Sequence, residues 1–494
     1  MSFIDFTIVE IKDLEDAILE YIKDNYKKES LELDAQSQLT NYINELDDDL
    51  YCMIEYPYVD KMYRDSYYSY YSSKHNEYNR DCIRITLFDT KIDFDDFRDI
   101  NEKEKLQNSF RGFFVIRPTF SSIIGKSLID KRAFIDDDFK ICSYEGEISV
   151  NGVKLKVKGF PHSSQDHESI SCAETTIWSV LEYFGNRYAD YKPTYPSHII
   201  NILNKYSKQR LLPSNGLTVD QISFVLKEYG FGTSIYSRDD AYNEELENII
   251  SYYIESGIPV IAALENESIG HAIVIIGHEN DEDLDVDSTP HQKLKFDEDD
   301  LDYIDYTDIR KRFIVNDDNL QPYRAIYLDT PVEHYPAGTE FEGARIQSIV
   351  VPLYKKIYLE VVKSKQLSLS ILSDETLGYR PNNGFVFKHF LTSSRSFKEH
   401  IALQNDLNPT IKNIIILKKM PKFIWVTEIY NRDDFSSDVA EALILIDATE
   451  ANEIGIDALI LGVYPEKTIA KDDNKFVYLP TKFYIYNTFK NNLT

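Results

Sequence analysis

Positive charge is what this chain most lacks. Its 494 residues carry 54 Lys and Arg against 83 Asp and Glu, a formal net charge of −29. Phosphate backbones and anionic headgroups are repelled by such a surface, so nucleic acid and membrane are excluded as expected partners. Cysteine is scarce too. Cys52, Cys82, Cys142 and Cys172 never form a CxxC pair, which argues against a disulfide framework or a four-thiolate zinc site and for a reducing, cytoplasmic setting. No run of about 20 apolar residues exists to span a bilayer. The opening MSFIDFTIVEIKDLEDAILEY has neither the cationic lead-in nor the apolar core of a secretory signal. GxxxxGK(S/T) and GxGxxG loops are absent, so no nucleotide or other cofactor is expected.

What is present supports globular cores, with 43% hydrophobic residues and length enough for roughly three domains. Residues 1–110 read as a helical, Tyr-rich region, with helix-like segments through Ile22 and over Gln36 to Asp49 and a strand over Ile83 to Phe88. The tyrosines between Tyr51 and Tyr71 suggest a half-buried helix against the next domain, or a recognition surface. Residues 111–328 form the central domain. It opens with the β segments FFVIRPTF and ISVNGVKLKVKGF, the latter turning at Asn151-Gly152. A helix capped by Thr218 and ended by Gly230 follows, then a helix stopped by Gly257, then the strands IPVIAAL, HAIVIIG and RFIVND. The acidic insertion 279–308 reads as a solvated, mobile loop. Residues 329–494 read as a mixed α/β domain folded onto the centre.

The stretch QDHESISCAETTIWSVLEYFG, Gln165 to Gly185, organises the rest. Ile177, Val180, Leu181 and Phe184 recur at the steps of one helix face, and Gly185 reads as its stop. Cys172 therefore sits on the first turn of a buried helix, where unpaired N–H groups and the helix dipole favour thiolate. His271 opens a buried strand, and Asn316-Asp317 end a later one. A cysteine nucleophile needs a base such as His271 and a group to orient it, here Asp317 with Asn316 as the alternative. Gln165 and the Cys172 N–H would hold an oxyanion. Each residue alone has an ordinary structural explanation; their order within one α/β unit is what points to chemistry. His162, His167 and Cys172 lack a fourth zinc ligand, so no metal is expected. His278, an odd number of residues from His271, faces the other way.

The centre of the chain resembles papain-like cysteine peptidases, closest to the bacterial double-glycine leader type. The similarity rests on Gln165, Cys172 and its helix, FGTSIYS, SGIPVIAAL, GHAIVIIGH and IVNDD. It covers roughly residues 155–325. The combination with FVIRPTF, FIWVTEIY and ALILIDAT is similar to longer bacterial papain-like proteins. The resemblance implies an α+β fold, in which a helix bearing Cys172 packs on an antiparallel sheet bearing His271 and Asp317, with N- and C-terminal α/β extensions. It implies an intracellular cysteine peptidase acting on a protein or peptide through a Cys172-His271-Asp317 triad, with Gln165 as oxyanion donor. Ala173 and Glu174 replace the usual Gly-Pro after the cysteine. No transporter is attached, so the leader-cleaving role does not carry over. Acyl transfer to glutamine, as in transglutaminases and deamidases, uses the same residue order. A silent papain-like module binding a partner protein through its N- or C-terminal region is the reading from another class.

Overall fold

The computed structural model describes residues 4–494 apart from 29, 120, 206, 208–210, 213–215, 240–241, 244, 281–283, 297–298, 474 and 484–485. Helices combine with largely antiparallel sheets, an α+β architecture. The first sheet joins β1 (Asp5–Glu10), β2 (Tyr51–Tyr58), β3 (Cys82–Phe88), β4 (Phe110–Ile116) and β5 (Ile124–Ile129) in that order, each antiparallel to the next. The expected helical character of residues 1–110 is therefore corrected. Helices Leu14–Tyr26, Leu33–Asn44 and Lys61–Ser69 are present but flank a sheet. Both β3 and β4 are buried along their whole length. β3 covers the expected strand Ile83–Phe88 and β4 overlaps the expected β segment FFVIRPTF, whereas β1 and β2 are built by long-range pairing between the helices. Tyr51, Tyr56 and Tyr58 lie on β2, whereas Tyr63, Tyr67 and Tyr68 lie on the Lys61–Ser69 helix.

A short strand, β6 (Phe139–Ile141), precedes a hairpin of β7 (Tyr144–Val150) and β8 (Val153–Gly159). The hairpin turns at Asn151-Gly152, both with positive φ (47° and 87°), as the sequence predicts. The central seven-stranded sheet is then laid down by β9 (Phe231–Ser237), β10 (Val260–Glu265) and β11 (Gly270–Glu279), with more strands supplied later. Against β11 packs the helix Cys172–Arg187. That helix runs two residues past Gly185, which is not its stop. A Cβ at 185 would collide with the Lys192–Pro193 backbone, so glycine is needed for the close approach.

The acidic stretch is likewise not simply a loop. β12 (Gln292–Phe296) and β13 (Asp299–Asp305) form a hairpin within it, burying Leu301 and Tyr303 while Asp299 and Asp300 face solvent. Leu301 and Tyr303 alternate with the half-buried Asp302 in a period-two pattern under the charge run, while Asp305, on the same side as Leu301 and Tyr303, is buried. Asp281, Glu282, Asp283, Asp297 and Glu298 fall outside the described residues.

Central strands β14 (Phe313–Asn316), β15 (Arg324–Ile326) and β16 (Arg345–Tyr354) complete the order β15-β14-β11-β10-β16-β9, with β6 pairing the far end of β11. The eight-stranded sheet comprises β12, β13, then β17 (Phe385–Ser393), β18 (Phe423–Tyr430), β19 (Ala442–Asp447), β20 (Leu459–Val463), β21 (Lys467–Asp472) and β22 (Lys475–Pro480). β13 joins β17 in parallel, so a hairpin from mid-chain forms the edge of a largely C-terminal sheet. β16, from the C-terminal part of the sequence, pairs β10 and β9 in the central sheet. One continuous apolar core runs from the first sheet through the Cys172 helix to Trp425, whose indole donates to the Leu359 carbonyl at 2.9 Å.

Candidate active site

Ser171-x-x-Glu174 is a capping-box sequence, and it sets where the Cys172 helix begins. The Ser171 N–H donates to Glu174 Oε2 at 3.1 Å and the two side chains hydrogen-bond directly. Ala173 through Phe184 are buried, whereas Cys172 is half-buried. Cys52, Cys82 and Cys142 are buried, and burial pushes the Cys52 and Cys142 thiols up to about 12. The loop leading to Cys172 is held from both ends. Asp166 accepts from the N–H groups of Glu168, Ser169 and Ile170 at 2.7–3.0 Å. Arg117, from the first sheet's end, donates to the carbonyls of Ser164 (3.1 Å) and Gln165 (3.2 Å).

His271 is the second residue of β11, opposite Leu264 of β10. It lines, with Cys172 and Ala173, a cleft of about 760 Å³ whose other walls include Leu217, Val219 and Glu265. His271 Nε2 lies 2.8 Å from Asp317 Oδ1, both groups being buried. A carboxylate can only accept, so Nε2 carries the proton and Nδ1 is the nitrogen left for another partner. Burial opposes a charged imidazole. The charge and hydrogen bond of Asp317, with the Cys172 side chain adding to them, outweigh burial and hold the His271 pKa well above its usual range. Burial also opposes ionisation of Asp317, but the charge and hydrogen bond of His271, with Tyr335 and His334, hold that carboxyl far below the usual range.

Asn316, one residue earlier on the strand, points elsewhere. Its Oδ1 accepts from the Tyr323 N–H at 3.1 Å and its Nδ2 donates to the Pro161 carbonyl at 3.4 Å. Gln165 is half-buried, donates its amide to Asn319 Oδ1 at 2.8 Å, and is not among the residues lining the cleft. His278 Nε2 lies 2.6 Å from Glu255 Oε1, away from His271.

Several neighbours were not foreseen. Tyr335 donates to Asp317 Oδ2 at 2.6 Å, and the Asn319 backbone N–H donates to Oδ1 at 3.0 Å. The Tyr335 ring stacks on Phe341 at 3.9 Å, and Phe341 meets His271 edge-on at 5.4 Å. Asp318 is buried with neither carboxylate oxygen hydrogen-bonded, 3.9 Å from His271 Nε2. Burial raises its pKa to about 7, His271 opposing the shift while Asp317 and Glu174 add to it. The one usable sequence signal was the doubled aspartate at 317–318; Tyr335 and Phe341 sit in an irregular stretch without any period.

Among the described residues, His271, Asp317 and Asp318 are the set whose ligand-type atoms lie within 4.8 Å of one another. An imidazole with two carboxylates is a donor set a divalent cation accepts, but the cation would have to replace the proton shared by His271 and Asp317. His162, His167 and Cys172 do not form such a set: His162 is buried with Nε2 3.3 Å from the Asp317 carbonyl, and His167 is exposed. No helix among the described residues is long and apolar enough to cross a membrane.

A match to the Peptidase_C39 like family covers residues 157–302, which takes in Gln165, Cys172 and His271 and ends before Asp317. Among curated proteins none matches this chain. Through residues 157–302 the chain is related to the papain-like cysteine peptidase superfamily.

Proposed function

We propose that this protein is a cysteine peptidase that cleaves an amide bond of a protein or peptide in a reducing, intracellular setting. The observation that carries the reading is His271: it shares a cleft with Cys172 on one side and hydrogen-bonds Asp317 at 2.8 Å on the other. An imidazole held positively charged beside a sulfur favours the thiolate. Cys172 Sγ attacks the carbonyl carbon, and the electron pair displaced onto oxygen is met by the Cys172 N–H at the helix start and by Gln165. His271 Nδ1 gives its proton to the leaving nitrogen as the C–N bond breaks, leaving a thioester. The neutral ring then takes a proton from water, whose oxygen attacks the thioester and releases the acid. Asp317 keeps the Nε2–H tautomer throughout.

Incubation with a denatured-protein substrate pool, followed by mass spectrometry of new termini, tests this. Cleavage that disappears in Cys172→Ala supports it. A gain of about one dalton on glutamine without chain cleavage would replace it by acyl transfer to water at a side chain. No reaction, together with an unreactive Cys172, would leave a binding module.

A further inference from the structure

We infer that Asn319 and Tyr335 are positioning residues which, starting from the negative charge of Asp317, fix which face of the Gln165 amide is presented. The inference rests on the proposed role of Cys172. Its basis is a continuous line of hydrogen bonds. Gln165 Nε2 meets Asn319 Oδ1 at 2.8 Å, Asn319 Nδ2 meets the Tyr335 hydroxyl at 3.2 Å, and that hydroxyl meets Asp317 Oδ2 at 2.6 Å. Asp317 then meets His271 at 2.8 Å through its other oxygen.

The direction of this line is not free. An ionised carboxylate has only acceptors, so the single hydroxyl proton of Tyr335 must point at Asp317. The hydroxyl oxygen is then an acceptor on its other side, so Asn319 must turn its NH2 toward it. That turns the Asn319 carbonyl toward Gln165, which can answer only with its own NH2. One Gln165 N–H is spent on Asn319 and the second is left as a donor to an oxyanion. A flipped amide would set carbonyl against carbonyl at 2.8 Å. The charge that orients His271 thereby also orients the oxyanion donor, by a route through two residues that lie beyond the matched segment 157–302.

Because the natural substrate is unidentified, the probe is p-nitrophenyl acetate, whose acylation of Cys172 releases nitrophenolate, read beside alkylation of the same thiol by iodoacetamide, which forms no oxyanion. Asn319→Ala and Tyr335→Phe should each slow acylation about ten-fold or more, as a lost oxyanion donor does, while alkylation stays within about three-fold of wild type. Adding either change to Gln165→Ala should cost no more than about two-fold beyond Gln165→Ala alone, since all three act on one amide. Multiplying losses in the double variants, parallel loss of acylation and alkylation, or unchanged acylation overturns the inference while the reading of Cys172 stands. Wild-type ester turnover in Cys172→Ala removes that reading and the inference together.

Discussion

Replacing Asp318 by asparagine keeps the side chain's shape and removes its ability to ionise. Asp318 is buried, its two oxygens are without hydrogen-bond partners, and its pKa is raised from 3.8 to about 7. At about 1.4 kcal/mol per pH unit, that difference corresponds to about 4 kcal/mol. Well below pH 3.8 the carboxyl is neutral in folded and unfolded chains alike, and it imposes no penalty. Between about pH 4 and pH 7 the unfolded chain gains by ionising and the folded one does not, so wild-type stability falls as pH rises and then levels off. Asp318→Asn escapes this loss. Its stability advantage should therefore grow by about 3 kcal/mol between pH 5 and pH 8, measured by urea unfolding of both proteins side by side. Taking the difference at each pH cancels the self-repulsion of an acidic chain, which both proteins share. A difference that stays flat across that range would refute the reasoning, because it would mean that Asp318 is already ionised and matched inside the fold.

Three further outcomes follow from the geometry. Iodoacetamide at neutral pH should modify Cys172 alone, since the other three thiols are buried; peptide mapping that finds a second modified cysteine contradicts the burial. Asp317→Asn should cut hydrolysis by about a hundred-fold or more, because an amide in place of the carboxylate no longer fixes the ring tautomer; kinetics within a few-fold of wild type would pass the orienting role to another group. Gly185→Ala should destabilise the fold by about 1–3 kcal/mol, since a Cβ there meets the Lys192–Pro193 backbone, and an unshifted thermal melt would mean that this backbone yields easily.

Short-range chemistry is what made much of the central region legible in advance. Thr218 and Gln221 form the capping box that starts Val219–Glu228, Gly230 takes a φ of +94° just past its end, and Asn151-Gly152 makes the hairpin turn. The apolar steps Ile177, Val180, Leu181 and Phe184 place the Cys172 helix, whereas the Ser171-x-x-Glu174 capping box at its start came to light only in the structure. The choice between Asn316 and Asp317 was within reach as well, because neighbours on a strand face opposite ways. What escaped depends on distant parts of the chain. The first sheet pairs β1 with β2 across some forty intervening residues, and no local pattern announces it. Burial of Asp318 and arrival of Tyr335 at Asp317 are products of packing between segments, and an aspartate in a turn or a tyrosine in an irregular stretch carries no mark of either. The acidic run misled for the opposite reason: its charge was read and the alternation of Leu301 and Tyr303 beneath it was not.

The hairpin β12–β13 also gives the candidate site a mechanical tether. After supplying His271 on β11, the polypeptide crosses to the eight-stranded sheet, is clamped there beside β17, and only then returns through the short stretch 306–312 to deliver Asp317. The β13–β17 seam therefore anchors the chain on the approach to Asp317, and the pairing of Phe313–Asn316 with β11 on one side and β15 on the other holds the last strand before the carboxylate.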